Sequence, residues 1–183
     1  LLAIFFKIFN KFLPNSFQYF SLWILASIYL QLFFSFKIIY KLSNNVVFSL
    51  ISCLFFCIST TFLNRSGIHL ALTGQWIILL AFYIELHQNK NKIWFRNLSI
   101  LLSVLIHFYF TIILVLFYIF QKIYNLLNKD EKIKFFCIEL FITFISIISL
   151  MYIIGYFTIN LDDGLGWGYG FYNYNLNSFF NPL

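Results

Sequence analysis

Residues 46–63 read VVFSLISCLFFCISTTFL, a run of 18 residues without a charged side chain. A helix that crosses the hydrocarbon core of a bilayer needs about 20 mostly apolar residues, so this run predicts an embedded helix. The polar turn NRSG at 64–67 follows it and leads into a second apolar run, 68–86. Together the two runs predict a helical hairpin inside a membrane.

The composition extends this prediction to the rest of the chain. Of 183 residues, 62% are hydrophobic, 23% aromatic and only 10% charged, whereas soluble domains carry about 25% charged residues. Twelve Lys or Arg against six Asp or Glu give a net charge of +6. So few charges cannot cover a soluble surface, which excludes soluble enzymes and nucleic-acid-binding modules and predicts no nucleic-acid partner.

Short polar breaks divide the chain into several membrane spans. We predict an all-α, polytopic transmembrane helical bundle, a fragment of a longer protein, with its transmembrane domain at 14–158. A juxtamembrane or partial membrane helix at 1–13 precedes it, and an extracytoplasmic loop rich in Gly and aromatic residues follows at 159–183. The predicted spans are residues 17–36, 46–63, 68–86, 94–120 and 135–157.

The run 94–120 is long for one span and short for two. A single crossing would put Lys37, Lys41, Lys90, Lys92 and Arg96 on one side of the membrane and Lys122, Lys129, Lys132 and Lys134 on the other. Two half-helices that enter and return would put all nine cations on the cytoplasmic side, as the positive-inside rule favours. We therefore expect a broken or re-entrant helix with its turn near Ile106-His107.

Arg65 and His69 are the first candidate site residues. Arg65 is a fixed cation in the turn between two embedded helices, and His69 follows four residues later, on the same helix face. Planar guanidinium donors, an imidazole and helix N–H groups suit a lipid phosphate. Trp76 continues this face and Gln75 lies beside it, so both are candidate substrate-binding residues. The alternative is that Arg65 is an interfacial anchor that snorkels to headgroups.

His107 is an ionisable residue in the middle of an apolar run, which is a functional hypothesis by default in a membrane protein. We expect it and the nearby Tyr109 to line a substrate cavity. The alternative for His107 is a neutral imidazole that hydrogen-bonds between helices. No group of cysteine, histidine and carboxylate residues has metal-ligand spacing, since Cys53 and Cys57 lie in an uncharged run and Cys137 lies in another apolar run. We predict no metal and no cofactor.

The tail alternates glycines with aromatic residues and then adds asparagines, as GLGWGYGFYNYNL at 164–176. Aromatic faces stack on sugar rings, and amides both donate to and accept from hydroxyl groups. Tyr172 and Asn175 are therefore candidate contacts to a sugar or an acceptor. An aromatic belt at the membrane surface is the alternative.

Taken in order, these motifs resemble an uncharacterised family of bacterial multi-pass membrane proteins that is similar to GT-C glycosyltransferases. The resemblance covers most of the chain, with Gln75 where the family more often has His and no Pro after His107. The matching segments are Leu1–Lys7, Leu13-Pro14, Phe17–Trp23, Arg65, His69 with Ala71-Leu72, Gln75–Leu79, Ile106–Tyr109, Gly168–Leu176 and Pro182.

The resemblance implies a GT-C-like fold in the bacterial inner (plasma) membrane. It implies a glycosyltransferase that moves a sugar from a polyprenyl-phosphate-linked donor to a glycan or other acceptor on the periplasmic face, with membrane lipid around it. The catalytic Asp of such enzymes would lie upstream of Leu1, so we expect no catalytic residue in this chain. The alternatives are a transporter or flippase of lipid-linked glycans, or a non-catalytic membrane scaffold.

Overall fold

A computed structural model describes residues 6, 9–14, 17–59, 62–63, 69–87, 92–128 and 132–157. These ranges hold six α-helices and no strand, which confirms the all-α prediction. Three of the helices, α1, α5 and α6, are long and apolar enough to cross a membrane. The helices are α1 (Phe20–Ser43), α2 (Val46–Ile58), α3 (Trp76–Leu86), α4 (Lys92–Ile106), α5 (Phe108–Leu127) and α6 (Ile133–Ile153).

A two-residue turn joins α1 to α2. Asn44 ends α1 in the left-handed conformation, with φ 52°, and its N–H donates to Tyr40 O at 2.9 Å; Asn tolerates this conformation better than most residues do. Asn45 then caps α2, since its side-chain oxygen accepts from Phe48 N–H at 3.0 Å. The two asparagines therefore reverse the chain, and each supplies one hydrogen bond to a helix end.

The helix bounds differ from the predicted spans at several places. α1 continues past residue 36 to Ser43, because Lys37 and Lys41 are good helix formers whose charged ends can reach water from a helix end. α2 ends at Ile58 rather than at residue 63, since Ser59 leaves the helical conformation with ψ 133°. The run 68–86 does not form one α-helix: residues 70–75 form a 3₁₀ segment, Leu70–Gln75, before α3 begins.

The predicted break at residue 107 is confirmed. α4 ends at Ile106, His107 has extended backbone with φ −165° and ψ 134°, and α5 begins at Phe108. The two helices pack side by side as an antiparallel pair. Two hydrogen bonds fix their register, Ser103 Oγ to Thr111 Oγ1 at 3.0 Å and Ser99 Oγ with Tyr118 Oη at 2.9 Å.

Contacts between helices define two opposite ends of the bundle. Trp23 contacts Leu70 near the starts of α1 and the 3₁₀ segment, and the Phe34 ring contacts the Tyr83 ring further along, so α1 and α3 run in the same direction. We call the end with His69 and His107 the histidine end. The other, the basic end, holds the described cations Lys37, Lys41, Lys92, Arg96, Lys122, Lys132 and Lys134.

This arrangement gives a topology prediction. Cysteines introduced at Lys92 and Lys132 of the full-length protein, on a background without native cysteines, should react with a membrane-impermeant thiol reagent from the cytoplasmic side only. The reason is that both positions share the basic end, and positive loops remain in the cytoplasm. Labelling of the two positions from opposite sides would contradict the hairpin in the membrane.

The chain divides into two compact units, 1–147 and 148–183. In the second unit the structure describes the end of α6 and a turn at 154–157, in which Gly155 has φ 79°. The core of the first unit contains Trp23, Trp76, Ile77, Ala81, Ile100, Phe110, Leu114 and Tyr118. The contacts described below all lie within the first unit.

Candidate functional site

The 3₁₀ segment Leu70–Gln75 is anchored to α1 at the histidine end. The Trp23 indole Nε1–H donates to Leu70 O at 2.7 Å, and the Thr73 hydroxyl donates to the same carbonyl at 2.7 Å. Thr73 Oγ1 also lies 3.4 Å from Ser27 Oγ, where it can accept from the Ser27 hydroxyl, and both side chains are fully buried. Because each of these groups is satisfied, the segment has a defined position before α3 begins.

Gly74 brings this segment into contact with the α4–α5 turn. A Cβ atom added at Gly74 would lie 2.5 Å from Ile106 Cγ2, 3.2 Å from Trp23 Cζ2 and 3.6 Å from Phe110 Cε2. Its backbone, with φ −70° and ψ 15°, is open to other residues. Close packing, not backbone conformation, therefore requires glycine, and the contact seats the segment directly against the residue before His107.

His107 caps α5 with its side chain. Its Nδ1 accepts from the backbone N–H of Tyr109 at 3.3 Å. The backbone N–H of His107 donates to Ser103 O at 2.9 Å. An accepting Nδ1 carries no proton, so the neutral ring has its proton on Nε2. The imidazole thus has one nitrogen committed to the fold and the other available as a donor.

His69 lies at the same end of the bundle. It is the exposed residue immediately before the 3₁₀ segment, and its carbonyl accepts from Leu72 N–H at 2.9 Å. Burial lowers the pKa of His107 below its ordinary value, and the positive charge of protonated His69 lowers this pKa further. His69 and His107 thus belong to the same end of the bundle, although 38 positions separate them in the sequence.

These observations predict the protonation state of His107. Its lowered pKa and its accepting Nδ1 should keep it neutral at pH 7 as the Nε2–H tautomer, with protonation below the ordinary value of about 6.5. ¹⁵N NMR of His-labelled full-length protein in nanodiscs measures both properties. The His69→Gln variant should raise the His107 pKa, because it removes the repulsion; an unchanged titration would contradict the proximity of the two rings.

The other candidate residues occupy different environments. Gln75 is partly buried at the end of the 3₁₀ segment, and the Tyr109 side chain is 63% exposed at the start of α5. Trp76 lies in the core with its ring stacked on Phe34 at 6.3 Å, and its buried Nε1 has no hydrogen-bond partner among the described residues. Three candidates lie outside the described residues: Arg65, Tyr172 and Asn175.

A group of ion pairs at the basic end was not predicted from the sequence. Arg96 holds Glu85 with two hydrogen bonds, Nε to Oε1 at 2.5 Å and Nη2 to Oε2 at 2.9 Å, and Lys92 Nζ lies 2.6 Å from Oε2 of the same carboxylate. Lys122 pairs with Glu139. One sequence feature could have indicated these ion pairs. Glu139 is a carboxylate within the apolar run 135–157, and a charge in such a run requires a partner.

The described residues hold no cluster of three His, Cys, Asp or Glu side chains that would bind a metal ion. The histidine end instead offers an imidazole Nε2–H donor and a second, exposed imidazole. Such groups suit hydrogen bonding to an anion or proton transfer at the membrane surface.

Comparison with known proteins identifies one family. The family model described as "Domain of unknown function (DUF6311)" matches residues 1–183. No curated protein and no solved structure matches the chain.

Proposed function

We propose that this chain, which belongs to the DUF6311 family, works in an integral membrane glycosyltransferase with a GT-C-like fold. The enzyme would take a sugar from a polyprenyl-phosphate-linked donor and transfer it to a glycan or other acceptor. The site would face the periplasm of a bacterial inner membrane, because the cations at the opposite end favour the cytoplasm.

The observation that supports this proposal best is that His69 and His107 lie at the same end of the bundle. His107 lies in the break between α4 and α5, and His69 immediately precedes the 3₁₀ segment. Broken helices bring backbone and polar side chains to a membrane cavity without leaving them in contact with lipid. Arg65 precedes His69 by four residues in the sequence and would add a bidentate cation to the same group.

These residues would act on the leaving group. The acceptor hydroxyl oxygen attacks the anomeric carbon of the sugar, the bond from that carbon to the phosphate oxygen breaks, and a carboxylate of the enzyme takes the hydroxyl proton. The departing polyprenyl phosphate gains negative charge. Arg65, His69 and the Nε2–H of His107 would stabilise that charge, and Gln75, Tyr109, Tyr172 and Asn175 would contact sugar or acceptor.

The full-length protein in proteoliposomes, supplied with a radiolabelled polyprenyl-phosphate sugar and a candidate acceptor, tests this proposal. Transfer and release of polyprenyl phosphate should occur together. His69→Ala and His107→Ala should each slow both by about tenfold, the value of a charge-assisted hydrogen bond. His87→Ala is the matched control, because His87 lies at the basic end, where its Nδ1 contacts Tyr83 O.

A transporter of lipid-linked glycans is the second candidate function. The broken α4–α5 hairpin and the ion pairs Arg96–Glu85 and Lys122–Glu139 favour it, since transporters often combine such features. The same assay separates the two functions. Movement of the donor across the bilayer with its sugar–phosphate bond intact would replace the transferase proposal with the transporter.

A further inference from the structure

A small cavity lies between α4, α5 and α6 at the basic end, opposite the histidine end. Its volume is about 40 Å³, enough for a few atoms the size of a water oxygen. Its polar lining includes Arg96, Asn97, Tyr118, Lys122, Glu139 and Thr143. The Thr143 hydroxyl donates to Asn97 Oδ1 at 2.7 Å, which ties α6 to α4 beside the cavity.

The charges around the cavity favour an anion. Arg96 and Lys122 are each only 7% exposed, and both line the cavity. Their carboxylate partners are Glu85 and Glu139, and Lys92 is a third cation on Glu85. Among the described residues of this group, three cations against two carboxylates leave one positive charge in excess. Arg96 donates to Glu85 through Nε and Nη2, and its guanidinium carbon lies 5.5 Å from the centroid of the Tyr118 ring.

The cavity lies within two helical turns of the basic end. Arg96 is four residues from the start of α4 and Lys122 five from the end of α5, or about 6 to 8 Å along each helix. Trp94 near the start of α4 is 77% exposed, and Phe135 near the start of α6 is 56% exposed. Aromatic residues with this placement are typical of the membrane interface.

We propose that this cavity and its mouth bind the phosphate of an anionic phospholipid headgroup. Phosphate oxygens would enter between Arg96 and Lys122, and the acyl chains would remain outside against the apolar surfaces of α4 and α6. Basic pockets between membrane helices at the cytoplasmic end bind anionic headgroups in this way. This binding site is independent of the transferase proposal, because it lies at the other end of the bundle.

Two double variants test the site without changing the net charge of the protein. Arg96→Gln with Glu85→Gln, and Lys122→Gln with Glu139→Gln, each remove one positive and one negative charge. Removing a buried ion pair as a unit is usually tolerated by the fold. The full-length protein, purified with equimolar phosphatidylglycerol and phosphatidylcholine, is analysed by native mass spectrometry for the lipids it retains.

The wild type should retain phosphatidylglycerol preferentially, and each double variant should lose that preference by about fivefold, the usual effect of one cation near an anionic lipid. Lys41→Gln is the control, since Lys41 is an exposed cation at the same end; it lowers the net charge yet should keep the preference. Inorganic phosphate at millimolar concentration should not displace the lipid, whereas displacement would assign the site to free phosphate.

Three further results would overturn the proposal. One is a wild type that shows no preference for phosphatidylglycerol, which needs no variant to observe. Another is a preference that both double variants retain in full. The last is an equal loss in Lys41→Gln, which would attribute retention to the general charge of the basic end.

Discussion

Replacement of Arg65 by alanine is expected to reduce sugar transfer by about 100-fold or more in the full-length protein, with membrane insertion unchanged. A cation that stabilises charge developing on a leaving phosphate contributes most in the transition state, and loss of one such group typically costs that much in rate. Arg65 follows an uncharged run and precedes His69 by four residues. The measurement is kcat/KM for the polyprenyl-phosphate-linked sugar, together with the amount of protein in the membrane.

The conservative variant and a matched control make this result specific. Arg65→Lys should recover only part of the activity, because an ammonium group cannot reproduce the two parallel hydrogen bonds of a guanidinium. Lys11→Ala removes an exposed cation that precedes the first long helix and should leave transfer near the wild-type rate. Full activity in Arg65→Ala would make Arg65 an interfacial anchor that snorkels to headgroups.

Charge counting predicted the least regular feature of the fold. The run 94–120 is mostly apolar, with Arg96 and His107 as its only basic residues, so hydropathy alone favours one long helix. Because lysines flank the run at both ends, charge counting predicted that the chain returns to the same side of the membrane. In the structure the helix is broken at His107. Charge counting located the break because charges in short loops act on the whole topology, whereas helix periodicity is a local property.

Helix ends were less predictable because they depend on single residues. The Asn44 turn, and not the change from apolar to polar residues at Lys37, ends α1. Likewise Ser59 ends α2 within a run that remains apolar to residue 63. Hydropathy indicates which segments are embedded in a membrane, whereas capping and packing decide where helices begin and end.

The partners within the bundle could not be predicted from one sequence. Arg96 and Glu85 are 11 positions apart, and Lys122 and Glu139 are 17 apart. On a single helix these spacings would separate the two residues by about 16 and 26 Å along the axis, so each pair exists only because separate helices pack together. The same holds for Gly74, whose function as a contact to Ile106 depends on tertiary packing rather than on a turn.

Replacement of Gly74 by alanine is expected to destabilise the protein by about 1 to 3 kcal/mol, the usual cost of adding a methyl group to a well-packed interior. The new Cβ would lie 2.5 Å from Ile106 Cγ2 and 3.2 Å from Trp23 Cζ2, so at least one side chain must move. Movement of Ile106 displaces the residue next to His107, and sugar transfer should therefore fall as well. Thermal unfolding in nanodiscs and the transfer assay measure the two effects.

A double-mutant cycle identifies the contact responsible for that loss. In Ile106→Leu the new side chain has nearly the same volume as isoleucine but no methyl group at the Cγ2 position. Gly74→Ala should therefore lower the free energy of unfolding much less in this background than in the wild type. Ala71→Leu is the control, because Ala71 is an exposed residue of the same 3₁₀ segment and should tolerate added carbon atoms. If Gly74→Ala is as costly in the Ile106→Leu background as in the wild type, the close approach of the segment to the hairpin turn is not what requires glycine at this position.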